Sequence, residues 1–170
     1  MKVIIIGGVA GGASAAARMR RLNEKSEIIL FERGEFISFA NCGLPYYIDN
    51  VIDDREKLFV TSKEKMQNRF NIDVRNLSEV IKIDRDKMQV VVKDLVNNNT
   101  YNESYDKLIL SPGAQPIKPR FVGIDDAPVF TLRNIPDTDK IYNYIENNDV
   151  QKVVVIGGGF IGVEMVENLS

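Results

Sequence analysis

The chain has 170 residues, of which 44% are hydrophobic and 27% are charged, and its formal net charge is −2 at pH 7. This composition is typical of soluble globular proteins and lacks the basic excess of nucleic-acid-binding proteins. The first apolar run, Val3 to Ile6, is too short for a signal peptide or a membrane span, so we expect a cytoplasmic protein without nucleic-acid or membrane partners. With one cysteine and no histidine, the chain has no internal disulfide framework, and we expect no metal site.

The beginning of the chain carries the pattern of a strand, a helix and a second strand. Lys2 to Ile6 is an apolar run typical of a buried strand, and the glycine-rich turn Gly7 to Gly12 follows it. A helix rich in alanine is predicted from Ala13 to about Asn23, and a strand from Glu27 to Phe31. Small alanine side chains let a helix pack closely on a parallel sheet, so we predict a parallel α/β domain.

The middle of the chain changes to an alternating pattern that predicts antiparallel strands. A short helix from Lys63 to Phe70 is expected before this change. Three alternating segments, separated by polar turns, are Glu79 to Ile83, Met88 to Val92 and Thr100 to Tyr105. We predict that they form an antiparallel meander inserted in the parallel domain, and that Leu108 to Leu110 is another buried strand.

The last third of the chain divides into two parts. Four prolines, at positions 116, 119, 128 and 136, indicate an irregular crossing segment. Val153 to Ile156 is then predicted as a strand that leads into a second glycine-rich turn and a helix from Phe160 to Leu169. That helix has no return strand, so we expect the sequence to be an N-terminal fragment. The predicted boundaries are 1–115 for the first domain (meander at about 76–105), 116–150 for the crossing segment and 151–170 for the start of a second domain.

The first glycine-rich turn has the features of a dinucleotide-binding site. Its three glycine positions are occupied by Gly7, Val9 and Gly12, so the valine departs from the pattern. Close approach to a pyrophosphate must then depend on neighbouring glycines and on the amides at the start of the helix. Glu32 follows Gly12 by 20 residues, at the end of the second strand, where an acid accepts hydrogen bonds from a ribose.

The second turn has glycine at all three positions, Gly157, Gly159 and Gly162. The acid that distinguishes NADH from NADPH should follow Ser170, so the sequence leaves the choice open. Glu164 is either an exposed helical residue or a residue that faces a nicotinamide, and both alternatives remain.

Cys42 is the only thiol of the chain. A lone cysteine is commonly an inert, buried, small side chain. Here Asn41, Gly43 and Pro45 indicate a turn that leads into a helix, and a helix N-terminus stabilises the reactive thiolate. Cys42 is therefore our candidate nucleophile.

Three polar residues of the first predicted helix, Ser14, Arg18 and Arg21, have the spacing of one helix face. This face is either solvated or a cradle for the phosphates of a substrate, because arginines form charge-assisted hydrogen bonds with phosphate.

Three segments together resemble a known family. They are the turn GGVAGG at 7–12, SFANCGLPY at 38–46 and YDKLILSPGA at 105–114. The sequence resembles the coenzyme A disulfide reductases, the single-cysteine branch of the pyridine nucleotide-disulfide oxidoreductases. The resemblance implies a three-layer FAD/NAD(P)-binding Rossmann-like domain with an antiparallel meander, truncated at the start of a second dinucleotide-binding domain.

The resemblance also implies roles for individual residues. The implied FAD contacts are Gly7, Gly8, Val9, Ala10, Gly11, Gly12, Glu32, Arg33, Val80, Ser111, Pro112 and Gly113. The implied NADH or NADPH contacts are Gly157, Gly159, Gly162 and Glu164. The implied coenzyme A contacts are Ser14, Arg18, Arg21, Ser38 and Asn41. Phe70 stands where related reductases place a basic substrate contact, and the neighbouring Arg69 is a candidate substitute.

The implied reaction passes a hydride from NADH or NADPH to FAD and then electrons to a mixed disulfide of Cys42 with coenzyme A. The intact enzyme is expected to be a homodimer. Three alternatives remain: an NADH oxidase or peroxidase that forms a sulfenic acid, whose members commonly carry histidine where Ala10 stands; a coenzyme A persulfide reductase; and an FAD-binding module without activity.

Overall fold

A four-stranded parallel sheet forms the centre of the first of two units in the computed structural model, which describes residues 1–170. This unit comprises Met1–Phe39 and Phe59–Gly113. The strands of the chain are β1 (Lys2–Ile6), β2 (Glu27–Phe31), β3 (Asp73–Arg75), β4 (Ser78–Asp84), β5 (Gln89–Asp94), β6 (Asn99–Ser104) and β7 (Lys107–Leu110). The helices are α1 (Ala10–Leu22), α2 (Leu44–Ile48), α3 (Lys63–Phe70), α4 (Ile135–Asn147) and α5 (Phe160–Glu167).

Both faces of the parallel sheet, whose strand order is β3-β2-β1-β7, are buried. Successive side chains of a strand point to opposite faces, so each strand contributes to two clusters. The cluster beneath α1 and α3 contains Val3, Ile5, Ile28, Leu30 and Val74, with Ala13, Ala16 and Met66 from the helices. The cluster on the other face contains Ile4, Ile29 and Phe31, with Val90, Val92 and Tyr105 opposite them. Helices, parallel sheet and meander therefore form three layers.

The second layer of strands is the predicted antiparallel meander, in the order β4-β5-β6. Its register is continuous between β5 and β6, whereas β4 shifts by one residue between Val80 and Lys82. Such a bulge bends the strand locally. The predicted α/β class with an inserted meander is confirmed.

Two sequence-based strand predictions need correction. Leu108 to Leu110 belongs to β7, but Leu110 is exposed because β7 is the edge of the sheet and pairs only with β1. Val153 to Ile156 forms no strand, although its side chains are as apolar as those of β1. A strand exists through hydrogen bonds with a neighbouring strand, and no segment of the structure pairs with these residues.

The second unit comprises Ala40–Leu58 and Ala114–Ser170 and contains α2, α4 and α5. Ile48, Ile141 and Met165 from these three helices form its small core. Helix α4 lies in the segment that the prolines predicted to be irregular. No helix of the structure is long and apolar enough to span a membrane. The division at 1–115, 116–150 and 151–170 stays a prediction.

Candidate functional site

The first glycine-rich turn requires glycine at two positions. Gly7 has a φ of +98°, and a Cβ atom there would lie 2.0 Å from the carbonyl oxygen of Ser111. A Cβ atom on Gly12 would lie 1.7 Å from the carbonyl oxygen of Gly7. Side chains at either position would collide with backbone. The turn therefore allows α1 to begin directly against the end of β1.

The N-terminus of α1 fits a pyrophosphate. Val9 is the residue before the helix, and no side chain caps the free amides of the first turn. Ala10 and Gly11 in that turn are exposed. Uncapped helix amides and the helix dipole favour an anion. The chain departs from the glycine pattern only at Val9. The residues present therefore fit the pyrophosphate of a dinucleotide, which the glycine pattern predicts at this turn.

Glu32 is held beside this turn at the end of β2. Its Oε2 accepts a hydrogen bond from the backbone N–H of Gly8 at 2.7 Å, and its Oε1 accepts one from Gly34 at 2.8 Å. The backbone N–H of Ser78 donates to the carbonyl of Glu32 at 3.0 Å, which ties the start of β4 to the same place. Val80 follows Ser78 by two residues, at the bulge. Arg33 is exposed next to Glu32.

Ser111 closes the turn from the side of β7. Its backbone N–H donates to the carbonyl of Ile6 at 2.8 Å, and a Cβ atom on Gly11 would lie 2.5 Å from its Oγ. Pro112 and Gly113 follow it and are exposed. The structure thus brings Ser111 and Glu32, predicted from distant parts of the sequence, to the two sides of one turn.

A cleft of about 720 Å³ lies between α1 and α3. Ser14 and Arg21 line it from α1, and Ser38 lines it as well. Arg18 is exposed on α1 but is not among the residues that line the cleft. The other polar lining residues are Thr61, Glu64, Lys65, Asn68 and Arg69, and Phe70 also contributes.

Ser38 connects the cleft with the first turn. Its backbone N–H donates to the carbonyl of Gly8 at 2.9 Å, and its own carbonyl accepts from Val60 at 2.8 Å. Sequence reasoning missed Lys65 as a cleft residue. The signal was its spacing of four from Arg69, which places two cations on one face of α3.

Cys42 lies in the second unit, in a short 3₁₀ turn over Asn41–Gly43 that continues directly into α2. The predicted turn that leads into a helix is therefore confirmed. The cysteine is free and exposed, and Asn41 is exposed next to it. An exposed thiol is accessible to a disulfide substrate, which a buried structural cysteine is not.

Contacts with α4 hold α2 in place. The rings of Tyr47 and Tyr142 stack with centroids 5.0 Å apart, and the Tyr142 hydroxyl donates to Oδ1 of Asn50 at 3.1 Å. Arg55 makes two hydrogen bonds to Asp139, each 2.9 Å long, which raise the pKa of the guanidinium. Burial raises the pKa of Tyr47, and the nearby Tyr142 and Asp139 raise it further, whereas the charge of Arg55 opposes the shift. The turn that carries the thiol therefore continues into a fixed helix.

The second glycine-rich turn has the backbone of the first. Gly157 has a φ of +115°, and a Cβ atom on Gly162 would lie 1.9 Å from the carbonyl oxygen of Gly157. Gly159 precedes α5, whose N-terminus no side chain caps. Glu164 lies half-buried in α5, and its two alternative roles stay open.

Comparisons with known proteins agree with this geometry. The family described as pyridine nucleotide-disulphide oxidoreductase matches residues 1–170. Coenzyme A disulfide reductase from Staphylococcus aureus (strain JH9) is 45% identical over 168 residues, which are 99% of this chain and 38% of the reductase. The crystal structure of reduced Bacillus anthracis CoADR-RHD matches with a TM-score of 0.96 and 60% identity, over 99% of this chain and 30% of that chain.

A water-forming NADH oxidase from Lactobacillus brevis, bound to NADH, matches with a TM-score of 0.92 and 32% identity, over 99% of this chain and 37% of that chain. The chain thus spans well under half the length of these relatives. The family model matches all 170 residues of a chain that carries two glycine-rich turns and one exposed thiol, which establishes that the chain belongs to the pyridine nucleotide-disulphide oxidoreductases.

Proposed function

We propose that the natural protein containing this chain reduces coenzyme A disulfide, or a related coenzyme A persulfide or polysulfide, with NADH or NADPH. The observation that carries the proposal is the single exposed cysteine, Cys42, on a turn that leads into an anchored helix. The similarity to coenzyme A disulfide reductase supports the choice of substrate.

FAD would be held at the first glycine-rich turn. The uncapped amides of α1 would bind its pyrophosphate, Glu32 its ribose, and Ser111 to Gly113 would cover it. Arg33 and the backbone of Val80 complete the proposed set. When bound, FAD supplies a carrier that accepts a hydride and passes on two electrons. The second turn, with Gly157, Gly159, Gly162 and Glu164, would hold NADH or NADPH.

The residue of this chain that enters the chemistry is Cys42. Its thiolate attacks one sulfur of the disulfide, the S–S bond breaks, and one coenzyme A leaves as a thiolate. The mixed disulfide then receives two electrons that come from NADH or NADPH, and the second coenzyme A leaves while the Cys42 thiolate forms again. One cysteine is sufficient because the substrate supplies the second sulfur.

The cleft between α1 and α3 would bind the phosphates of coenzyme A. Arg21, Lys65 and Arg69 place three cations along it, and Ser14 and Ser38 add hydroxyl groups. Guanidinium and ammonium groups form charge-assisted hydrogen bonds with phosphate. Contacts from Arg18 and Asn41, the homodimer and the cytoplasmic location stay predictions.

The first experiment examines Cys42 in the complete, oxidised natural protein by mass spectrometry under non-reducing conditions. We expect an added mass equal to coenzyme A that is lost on reduction. Cys42→Ser should abolish disulfide reduction but retain flavin and the oxidation of NADH or NADPH by artificial acceptors, which serves as the control. A sulfenic acid on Cys42 would instead assign the protein to the oxidases or peroxidases. The similarity to the NADH oxidase supports this second candidate.

The second experiment compares two neighbouring arginines of α1. Arg21→Ala should raise the KM for coenzyme A disulfide about tenfold, because a charge-assisted hydrogen bond to phosphate contributes roughly 1.5–3 kcal/mol. Arg18→Ala should change it less, because Arg18 lies outside the cleft, and Arg85→Ala, at an exposed arginine of the β4–β5 turn, is the control. The KM for a small disulfide without phosphates should change in neither variant. Equal effects on both disulfides would contradict the phosphate role.

A further inference from the structure

Arg20 is a buried arginine whose position no motif explains. Only 8% of its surface is exposed, at the end of α1 that lies away from the glycine-rich turn. Its guanidinium donates to four backbone carbonyl oxygens, and no carboxylate accepts from it. The acceptors are Phe70 at 2.7 Å, Asn71 at 2.7 Å, Glu24 at 2.5 Å and Asn23 at 3.4 Å.

These four carbonyls belong to the ends of two helices. Asn23 and Glu24 directly follow α1, while Phe70 is the last residue of α3 and Asn71 is its left-handed cap. The last carbonyls of a helix lack partners within it, and a cation near them interacts favourably with the helix dipole. Arg20 therefore donates hydrogen bonds to the terminal carbonyl oxygens of both helices and connects their C-terminal ends.

Only arginine can make this connection. Its planar guanidinium carries five N–H donors in a fixed fork, so it can bond two backbone segments on different sides. Lysine has three donors on one nitrogen atom at the end of a flexible chain, so it cannot reach both segments in the same way.

The two helices that Arg20 ties together are the walls of the cleft described above. Arg21, the next residue of α1, and Phe70, whose carbonyl Arg20 binds, both line that cleft. A change in the separation of the helix ends would therefore move the opposing cations on Arg21 and Arg69 relative to each other.

We infer that Arg20 is a positioning residue that sets the separation of α1 and α3 and thereby the affinity of the cleft for a phosphate-bearing disulfide. It acts through the helix ends, without contact to the substrate. The inference rests on the proposed function, since it assigns the phosphates of coenzyme A to this cleft.

The test uses Arg20→Met and Arg20→Lys in the complete natural protein loaded with its flavin. Arg85→Met, which removes an exposed arginine of the same unit at the β4–β5 turn, is the control. For Arg20→Met we expect about a tenfold rise in the KM for coenzyme A disulfide with little change in kcat, because misplaced binding groups weaken substrate binding. Arg20→Lys should recover part of the loss. The KM for a small disulfide without phosphates should stay unchanged.

Hydrogen exchange of the α3 amides provides a second readout that needs no substrate. We expect faster exchange over Lys63–Phe70 in Arg20→Met than in the Arg85→Met control. Unchanged exchange would overturn the inference whatever the kinetics show. Faster exchange with equal losses for both disulfides would also overturn it, because Arg20 would then have a general structural role.

The outcomes separate this inference from the proposed function. If the wild-type protein does not reduce coenzyme A disulfide, the proposed function fails, and the exchange of α3 still decides whether Arg20 ties the two helices. If Arg20→Met does not fold, Arg20→Lys gives the same comparison of the two disulfides and the same exchange measurement.

Discussion

The two glycine-rich turns have nearly the same backbone and very different surroundings. Gly7 and Gly157 both have a positive φ, at +98° and +115°. In each turn a glycine five residues later lies so close to that residue's carbonyl oxygen that a Cβ atom would be 1.7 or 1.9 Å from it. The spacing of the glycines therefore determines the shape of the turn, whatever packs around it.

The surroundings differ because only the first turn is joined to a sheet. β1 pairs with β2 on one side and β7 on the other, and Ile4 is fully buried between the layers. In the second turn Gly157, Gly158 and Gly159 have no neighbour within 4 Å of an added Cβ atom, and Val154 is 83% exposed. The comparison teaches that glycines at the first and last positions of the turn specify its local geometry, while the cost of a substitution depends on neighbours distant in sequence.

The strongest test of this comparison places alanine at the first glycine of each turn, Gly7 or Gly157, where φ is positive. Gly7→Ala should lower the free energy of unfolding by roughly 3–5 kcal/mol, since backbone strain adds to a collision with the carbonyl of Ser111. Gly157→Ala has the strain alone and should lower it by about 1–2 kcal/mol. Urea unfolding of both variants measures the difference. Equal losses would show that the surroundings of the turn are irrelevant.

Glu32, the acid beside the first turn, accepts hydrogen bonds from two backbone amides there. Glu32→Ala leaves the amides of Gly8 and Gly34 without their acceptor, so we expect a loss of about 2 kcal/mol in the free energy of unfolding. The complete protein should also retain less flavin through dialysis. Glu164→Ala in the second unit is the matched control and should leave stability nearly unchanged. Stability losses of the same size in both variants would contradict the role of Glu32 in holding the turn.

The stability of the first unit should also decrease at acidic pH, because a carboxylate of β6 bonds to β1. Glu103 accepts hydrogen bonds from Lys2 and Arg75, each 2.6 Å long. Burial by itself raises the pKa of Glu103. The two hydrogen bonds and the charges of Lys2 and Arg75 lower it by more than burial raises it, so the folded-state pKa lies below the ordinary value of 4.5. A lowered carboxyl pKa stabilises the fold above pH 4.5, and this contribution is lost as the pH falls through the folded-state pKa.

Glu103→Gln should therefore remove about 1 kcal/mol of stability at neutral pH and flatten the acid dependence below pH 4.5. Unfolding by urea at several pH values between neutral and acidic measures both effects. Glu79→Gln, at a half-buried carboxylate of β4 in the same unit, is the control. An unchanged acid dependence in Glu103→Gln would show that other carboxylates dominate it.

The smallest effects are expected at the middle position of the two turns, where the sequences differ. Val9→Gly should lower the free energy of unfolding by less than about 1 kcal/mol, because glycine mainly increases the entropy of the unfolded chain. The reverse change, Gly159→Val, should be nearly neutral, since Gly159 has an extended backbone and open space around it. A large loss from Gly159→Val would mean that the second turn is packed as tightly as the first.

The sequence predicted those elements whose pattern is strong over their whole length. β2 and α3 have the predicted bounds, and the meander was recognised from its alternation. Helix α4 was missed because Pro136 was interpreted as a helix breaker. Proline is tolerated in the first turn of a helix, and Asn134 caps this helix by accepting from the N–H of Asp137 at 2.9 Å. β3 was missed because three residues are too few to show a period.

The sequence by itself determined the local features of this protein: the two glycine-rich turns, the helix that follows each and the thiol on a turn before a helix. Only the tertiary structure decided that Leu110 is exposed at the edge of the sheet, that Arg21 lines a cleft which Arg18 does not, and that Arg20 is buried between two helix ends. The physical reason is that φ preferences and helix periodicity act between near neighbours in the chain. Strand pairing, burial and the walls of a cleft depend on segments that the fold brings together from far apart.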